Sequence, residues 1–222
     1  MKKIQKKQKV AIVLPAYNAE RTLEKIYRKI PKDVIGQVVL VDDGSKDKTS
    51  TISKKLGIKT IVHPKNLGYG ANQKTCYQNA LKMGADYVIM LHPDGQYDPE
   101  DLPKFIEKLK SGKGDLILGS RFLQSQEGET PFYKSLSIKL ITFLFNLVLG
   151  TKLTEANTGY RGYTRNILET VPLFRNGNGY IFDPQFIIQT VYFGFKILEV
   201  PVAKHYNLEA STPNLTKSIE HG

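Results

Sequence analysis

The chain has 222 residues, and 32 Lys and Arg against 21 Asp and Glu give it a formal charge of +11 at pH 7. That length suits one α/β domain with a sizeable core better than two domains. A hydrophobic content of 41%, with no low-complexity stretch and no repeat, excludes a disordered chain. The charge points to an anionic partner. Nucleic acid is set aside, because the aromatics do not sit among clustered Lys and Arg and no basic helix has a DNA reader's pattern.

The chain opens with Lys2, Lys3, Lys6, Lys7 and Lys9, a basic tail over residues 1–9 with no signal-peptide pattern before Val10. Residues 10–222 then read as a single domain. Short β-branched runs (Val10 to Leu14, Gln37 to Val41, Lys59 to Val62, Tyr87 to Leu91, Asp115 to Leu118) alternate with amphipathic segments of about 10 to 13 residues. This alternation predicts βαβ units and a mainly parallel sheet flanked by helices. Asn18 is a candidate cap for the first helix, with Glu20 in its first turn, and Asp98-Pro99 is a well-specified helix start.

Right-handed crossovers gather the loops after such strands on one sheet edge, where open α/β folds bind ligands. Val41-Asp42-Asp43-Gly44-Ser45 puts two carboxylates there, able to accept hydrogen bonds from a nucleobase or ribose, or simply to build a tight turn. Leu91-His92-Pro93-Asp94-Gly95-Gln96 follows the fourth strand. In extended backbone, Asp94 and Gln96 would point to one side and offer oxygens to one Mg²⁺ or Mn²⁺, which would neutralise a departing diphosphate.

The single cysteine, Cys76, lies in a helical pattern, which rules out an internal disulfide and suits a reducing compartment. The apolar stretch Leu140 to Leu149 would rise only ~15 Å as a helix, too little to span a bilayer. The longer segment Pro131 to Gly150 suits either a core helix or one lying at a membrane interface. Beyond Gly150 the alternation breaks down, leaving a helical pattern from Asp183 to Phe193 and a β-like Lys196 to Val202. There is no Gly-x-Gly-x-x-Gly, P-loop or Gly-x-Ser-x-Gly motif, and the four histidines have no cysteine partners at zinc spacing.

The ordered set Val13-Leu14-Pro15-Ala16-Tyr17-Asn18-Ala19-Glu20, Val41-Asp42-Asp43-Gly44-Ser45, Asn66-Leu67-Gly68-Tyr69-Gly70, Asp94-Gly95-Gln96-Tyr97-Asp98-Pro99, Gly119-Ser120-Arg121-Phe122, Asn157-Thr158-Gly159-Tyr160-Arg161 and Glu199-Val200-Pro201-Val202 resembles family 2 glycosyltransferases. Within that family it looks most like the dolichyl- and polyprenyl-phosphate sugar synthases. The resemblance covers roughly Val10 to Ser211. It implies a single Rossmann-like GT-A domain that moves one sugar, with inversion, from a UDP- or GDP-sugar to an acceptor, here a lipid phosphate at a membrane surface. It also implies roles by position. Pro15, Ala16, Tyr17, Glu20, Asp42, Asp43 and Gly68 would serve the nucleotide-sugar. Asp94 and Gln96 would hold the divalent cation, with His92 in the place of the first acid of Asp-x-Asp. Arg121 and Lys134 would meet the acceptor phosphate.

Imidazole suits Mn²⁺ better than Mg²⁺ and removes a negative charge, so His92 makes the metal requirement an open question. A hydroxyl acceptor would need a general base, for which Asp183 is the candidate, although helix capping before Pro184 explains it equally well. The remaining alternatives are a non-catalytic nucleotide-sugar-binding module and a sugar-phosphate nucleotidyltransferase. The latter lacks its Gly-rich loop after the first strand. With no Trp, the chain lacks the Gln-x-x-Arg-Trp element of processive synthases. The expected setting is cytoplasmic, peripheral at the inner membrane face.

Overall fold

A computed structural model describes residues 8–32, 37–123 and 132–203, so the lysines of residues 1–7 and the segment after 203 lie outside it. Seven strands form one sheet in the order β3-β2-β1-β4-β6-β5-β7. They are β1 Val10–Ala16, β2 Gln37–Asp42, β3 Lys59–Val62, β4 Tyr87–Met90, β5 Leu116–Ser120, β6 Arg161–Thr164 and β7 Ile197–Pro201. Among the described residues seven α-helices accompany them: α1 Leu23–Lys29, α2 Thr49–Lys55, α3 Tyr69–Lys82, α4 Leu102–Lys110, α5 Phe132–Leu149, α6 Arg165–Thr170 and α7 Phe182–Tyr192.

The parallel pairs are β1 with β2 and β4, β2 with β3, and β5 with β7, while β6 runs antiparallel between β4 and β5. The mainly parallel α/β sheet read from the sequence is therefore present. Residues 161–164, where the alternation seemed to fail, supply an inner strand. Its run Arg-Gly-Tyr-Thr carries no continuous apolar signal because Arg161 and Gly162 are accommodated by partners and close packing.

Strand β1 is buried along its whole length, as a central strand covered on both faces must be. Its side chains alternate between two cores. Val10, Ile12, Leu14 and Ala16 meet α1 and α4 through Leu23, Ile26, Leu102, Phe105 and Leu109. Ala11 and Val13 face the opposite core, built with Cys76, Tyr77 and Ala80 of α3, Ile167 of α6, and Phe182 and Phe186 of α7.

The C-terminal ends of β1, β2, β3, β4 and β5 lie on one edge. Because β6 is reversed, its entry at Thr158–Arg161 joins them there. Of two local expectations, one changes and one holds. Helix α1 starts later than Asn18: its cap is Thr22, while Asn18 sits at φ 51° with Oδ1 accepting from Lys46 N at 3.0 Å. Asp98 does cap the turn at Pro99–Asp101, accepting from Glu100 N.

Candidate functional site

The loops after β1 and β2 are laced together. Asn18 N donates to Ser45 Oγ at 2.8 Å, Ala19 N to Thr49 Oγ1 at 2.7 Å, and Lys48 N to Glu20 Oε2 at 3.0 Å. Burial alone would raise Asp47, but hydrogen bonds from Thr49 and Glu20 outweigh it and hold the carboxyl below its usual range. Pro15 and Ala16 end β1 in the core, and Tyr17 projects exposed from the loop beyond them.

Both acids of the second motif are buried and engaged. Asp42 Oδ1 accepts from Ser45 N at 2.9 Å, which closes the turn. Asp43 accepts from His63 Nδ1 at 2.7 Å, Leu67 N at 2.9 Å and Gly68 N at 3.0 Å. Three of the roughly four acceptor positions of its carboxylate are thus filled by the chain. Asp43 holds the 63–68 loop against the end of β2, and at most one lone pair remains for a nucleoside. Gly68, at φ 100°, turns that loop into α3 beside the carbonyl of Asn178.

The segment after β4 is a turn, which corrects the extended backbone assumed for Asp94 and Gln96. Asp94 Oδ1 accepts from Gln96 N at 2.9 Å, and Gly95 takes φ 76°. An aspartate two residues ahead of an amide, with glycine between, favours this local bond over extension. Both side chains stay partly accessible.

His92 is stacked on Tyr69 with centroids 5.4 Å apart and an interplanar angle of 15°. Its Nε2 is 3.3 Å from Tyr69 Oη, which donates to Asp183 Oδ2 at 2.9 Å. Asp183 also accepts from Gln73 Nε2 at 3.1 Å and lies 3.3 Å from Nη2 of the fully buried Arg161, an ion pair not aligned as a hydrogen bond. Helix α7 has Ile181 as its cap position, with no side-chain capping bond, so Asp183 packs inward in the first turn and does not cap. Burial, then the charge of Asp183, pushes the Tyr69 hydroxyl well above its usual range.

At the end of β5, Arg121 is buried with Glu155. Nε lies 3.0 and 3.1 Å from the two carboxylate oxygens, and Nη2 bonds Oε1. Glu155 N in turn donates to Glu199 Oε1 at 3.0 Å, and Thr154 N donates to both oxygens of Glu199. Burial lifts Glu199 above its usual range even so. Lys134 falls on α5, but its side chain lies outside the described residues.

Sequence reasoning passed over Glu155 and gave no role to Tyr69, Gln73 or Arg161. Tyr69 and Arg161 stood inside quoted motifs. An unpaired acid such as Glu155 between Leu153 and Ala156, 34 residues after Arg121, was the available signal.

Helix α5 buries one stripe, with Phe145 and Leu149 against the core and Thr142 Oγ1 accepting from Ala156 N. It exposes Leu136, Leu140, Ile141, Phe143, Leu144, Leu147 and Val148, the last at 79%. No helix among the described residues is long and apolar enough to cross a membrane.

Among the described residues, no group of three or more His, Cys, Asp or Glu side chains gathers to hold a metal ion. Asp94 nevertheless suits a hard cation shared with a diphosphate, since such ions are commonly held by one or two carboxylates plus phosphate oxygens. Gln96 adds an amide oxygen nearby.

A protein-family model described as Glycosyl transferase family 2 matches residues 11–171. A UDP-N-acetylglucosamine–dolichyl-phosphate N-acetylglucosaminyltransferase of Methanococcus voltae is 26% identical over 180 residues, covering 73% of this chain and 72% of that protein. A polyprenol monophosphomannose synthase of Mycolicibacterium smegmatis is 25% identical over 207 residues, covering 88% of this chain and 77% of that one. The crystal structure of glucosyl-3-phosphoglycerate synthase from Mycobacterium tuberculosis, in complex with Mn²⁺, UDP and phosphoglyceric acid, superposes with a TM-score of 0.71 at 19% identity. That match covers 90% of this chain and 72% of the other. It bears out the GT-A type of fold.

Proposed function

The chain belongs to glycosyl transferase family 2, and we propose that it moves one sugar, with inversion, from a UDP- or GDP-sugar to a polyprenyl or dolichyl phosphate at a membrane surface. The two relatives described above are named for transfer to such lipid phosphates. One observation carries the lipid reading. The apolar face of α5 adjoins a corner where the Lys139 ammonium lies 5.1 Å, and the guanidinium of Arg121, paired with Glu155, 5.7 Å, from the Phe122 ring. A lipid tail along the helix would bring its phosphate to that corner.

In this reading the nucleoside lies over Pro15, Ala16 and Tyr17, against the loops that Glu20, Asp42, Asp43 and Gly68 hold in place. Asp94 and Gln96 would hold a divalent ion together with the donor's phosphates; when bound, the ion offsets the charge of the departing diphosphate. A lipid phosphate is already an anion and attacks the anomeric carbon with little help from a base. Arg121, aimed by Glu155, and Lys134 would orient it and offset its charge. A hydroxyl acceptor would need Asp183 as base, yet that carboxylate is buried and already serves Tyr69, Gln73 and Arg161. The phosphate acceptor therefore fits better. The single cysteine suits a cytoplasmic site, at the inner face of the membrane.

The test is nucleoside diphosphate release from a panel of UDP- and GDP-sugars, with and without Mn²⁺ and polyprenyl phosphate. Release that depends on the lipid phosphate supports the proposal. Release indifferent to the lipid, or none with any donor, refutes it.

A further inference from the structure

Three rings form a column beside the loop that carries Asp94. His92 stacks on Tyr69, and Tyr69 meets Tyr180, with centroids 4.9 Å apart and planes tilted by 33°. The outer ring is open: Tyr180 is 46% exposed, while its inner neighbour Tyr69 is tied to Asp183. A single exposed tyrosine needs no explanation by itself, but the way this one is held does.

The loop that presents Tyr180 is fastened from two helices. Lys74 of α3, buried at 8%, gives its ammonium to Phe174 O, Asn176 O and Asn178 Oδ1, three oxygens without formal charge. Burial holds the Lys74 pKa below the usual lysine range, the mark of a cation spent on structure at a cost. From α7, Gln185 Oε1 accepts from Gly177 N at 2.8 Å and Gln189 Oε1 from Asn176 Nδ2 at 2.9 Å. Asn178 O accepts from Gly70 N at 2.6 Å, and Gly177 O approaches so closely that a Cβ on Gly70 would lie 2.6 Å from it. A loop held this firmly loses little freedom when a ligand settles on the residue it presents, which is the condition for a preorganised site.

The chemistry of the ring says what settles there. An aromatic face is apolar and negatively polarised. A pyranose offers the matching surface, a face of C–H bonds with hydroxyls at the rim. In the glycosyltransferase reading the diphosphate lies at Asp94 and Gln96, and the sugar hangs from its outer phosphate, beside the column that starts at His92. We propose that Tyr180 is the platform for the transferred sugar, its ring stacked against the pyranose. The proposal rests on that reading and deepens it by assigning the sugar a subsite apart from the nucleotide's.

The experiment is calorimetric titration of the full chain with two probe pairs, UDP-glucose against UDP and GDP-mannose against GDP, all with Mn²⁺. Wild type is compared with Tyr180→Ala, Tyr180→Leu and Tyr180→Phe. In the pair that binds, Tyr180→Ala and Tyr180→Leu should weaken the nucleotide-sugar about three- to tenfold and leave the bare nucleotide unchanged, while Tyr180→Phe keeps both. Equal losses for nucleotide and nucleotide-sugar would mean that Tyr180 only shapes the loop, and they overturn the proposal. So does unchanged nucleotide-sugar binding in Tyr180→Ala, or a Tyr180→Leu protein that binds like wild type, since bulk without a flat ring would then suffice. A wild type that binds none of the four probes overturns the transferase reading and the platform together. No lipid is present, so the outcome is independent of the acceptor.

Discussion

Arg121 and Glu155 form a buried ion pair at the end of β5, the carboxylate at 0% exposure and the guanidinium still reached by solvent at 6%. Two charges so buried are tolerable only together. Removing one partner strands the other, at a cost of about 3–5 kcal/mol. Glu155→Ala should therefore lower unfolding stability by that amount in urea denaturation. Glu24→Ala, which breaks the exposed pair with Arg28, should cost less than about 1 kcal/mol. Equal effects would show that the Arg121 pair is not held in a buried setting.

Gly68 and Gly57 both take positive φ, at 100° and 72°, but only Gly68 is crowded: a Cβ there would lie 2.6 Å from the carbonyl oxygen of Asn178, while nothing lies within 4 Å at Gly57. Gly57→Ala should cost about 1–2 kcal/mol from backbone strain alone. Gly68→Ala should cost about 3 kcal/mol or more and weaken nucleotide binding, because it displaces the loop that Asp43 holds. Denaturation and nucleotide titration of the two variants, side by side, check this.

Cys76 is fully buried in α3, and burial pushes its thiol far above the usual range, so the thiolate is scarce at neutral pH. An aromatic disulfide reagent should leave the native protein almost unlabelled and react stoichiometrically in denaturant. Fast labelling of native protein would place the thiol near solvent and contradict the packing of α3 on β1.

The exposed apolar face of α5, a helix not long and apolar enough to cross a membrane, predicts membrane adsorption. Leu144→Glu with Leu147→Glu removes two apolar side chains, each able to contribute about 1.5–3 kcal/mol when buried. Vesicle co-sedimentation should fall at least tenfold while the melting temperature hardly moves, since neither leucine packs in the core. Unchanged sedimentation would assign the face another partner.

Strands β1, β2, β4 and β5 were legible because a sheet covered on both faces demands apolar runs, and the edge strand β3, Lys59–Val62, because it is β-branched. Strand β6 was not, because Arg161 and Gly162 are polar and small; their place between β4 and β5 depends on Asp183 and on packing against Leu109 and Phe105. In the site, the order of the loops was readable from strand ends. What each acid touches was not: Asp43 spends its lone pairs on His63, Leu67 and Gly68, and Arg121 meets Glu155 across 34 residues. Such long-range pairing leaves no period in a sequence. Asp94 and Gln96 were placed at the right loop with the wrong backbone, because the Asp94-Gly95 turn bond prevailed over extension.

The acceptor phosphate is the central claim, and product analysis tests it most directly. The protein is incubated with its active donor and either polyprenyl phosphate or the matching unphosphorylated polyprenol, and the lipid phase is read by mass spectrometry. The account predicts a polyprenyl phosphate carrying one hexose unit, and no product from the alcohol. Glycosylated polyprenol, or a sugar transferred only to soluble acceptors, would contradict it.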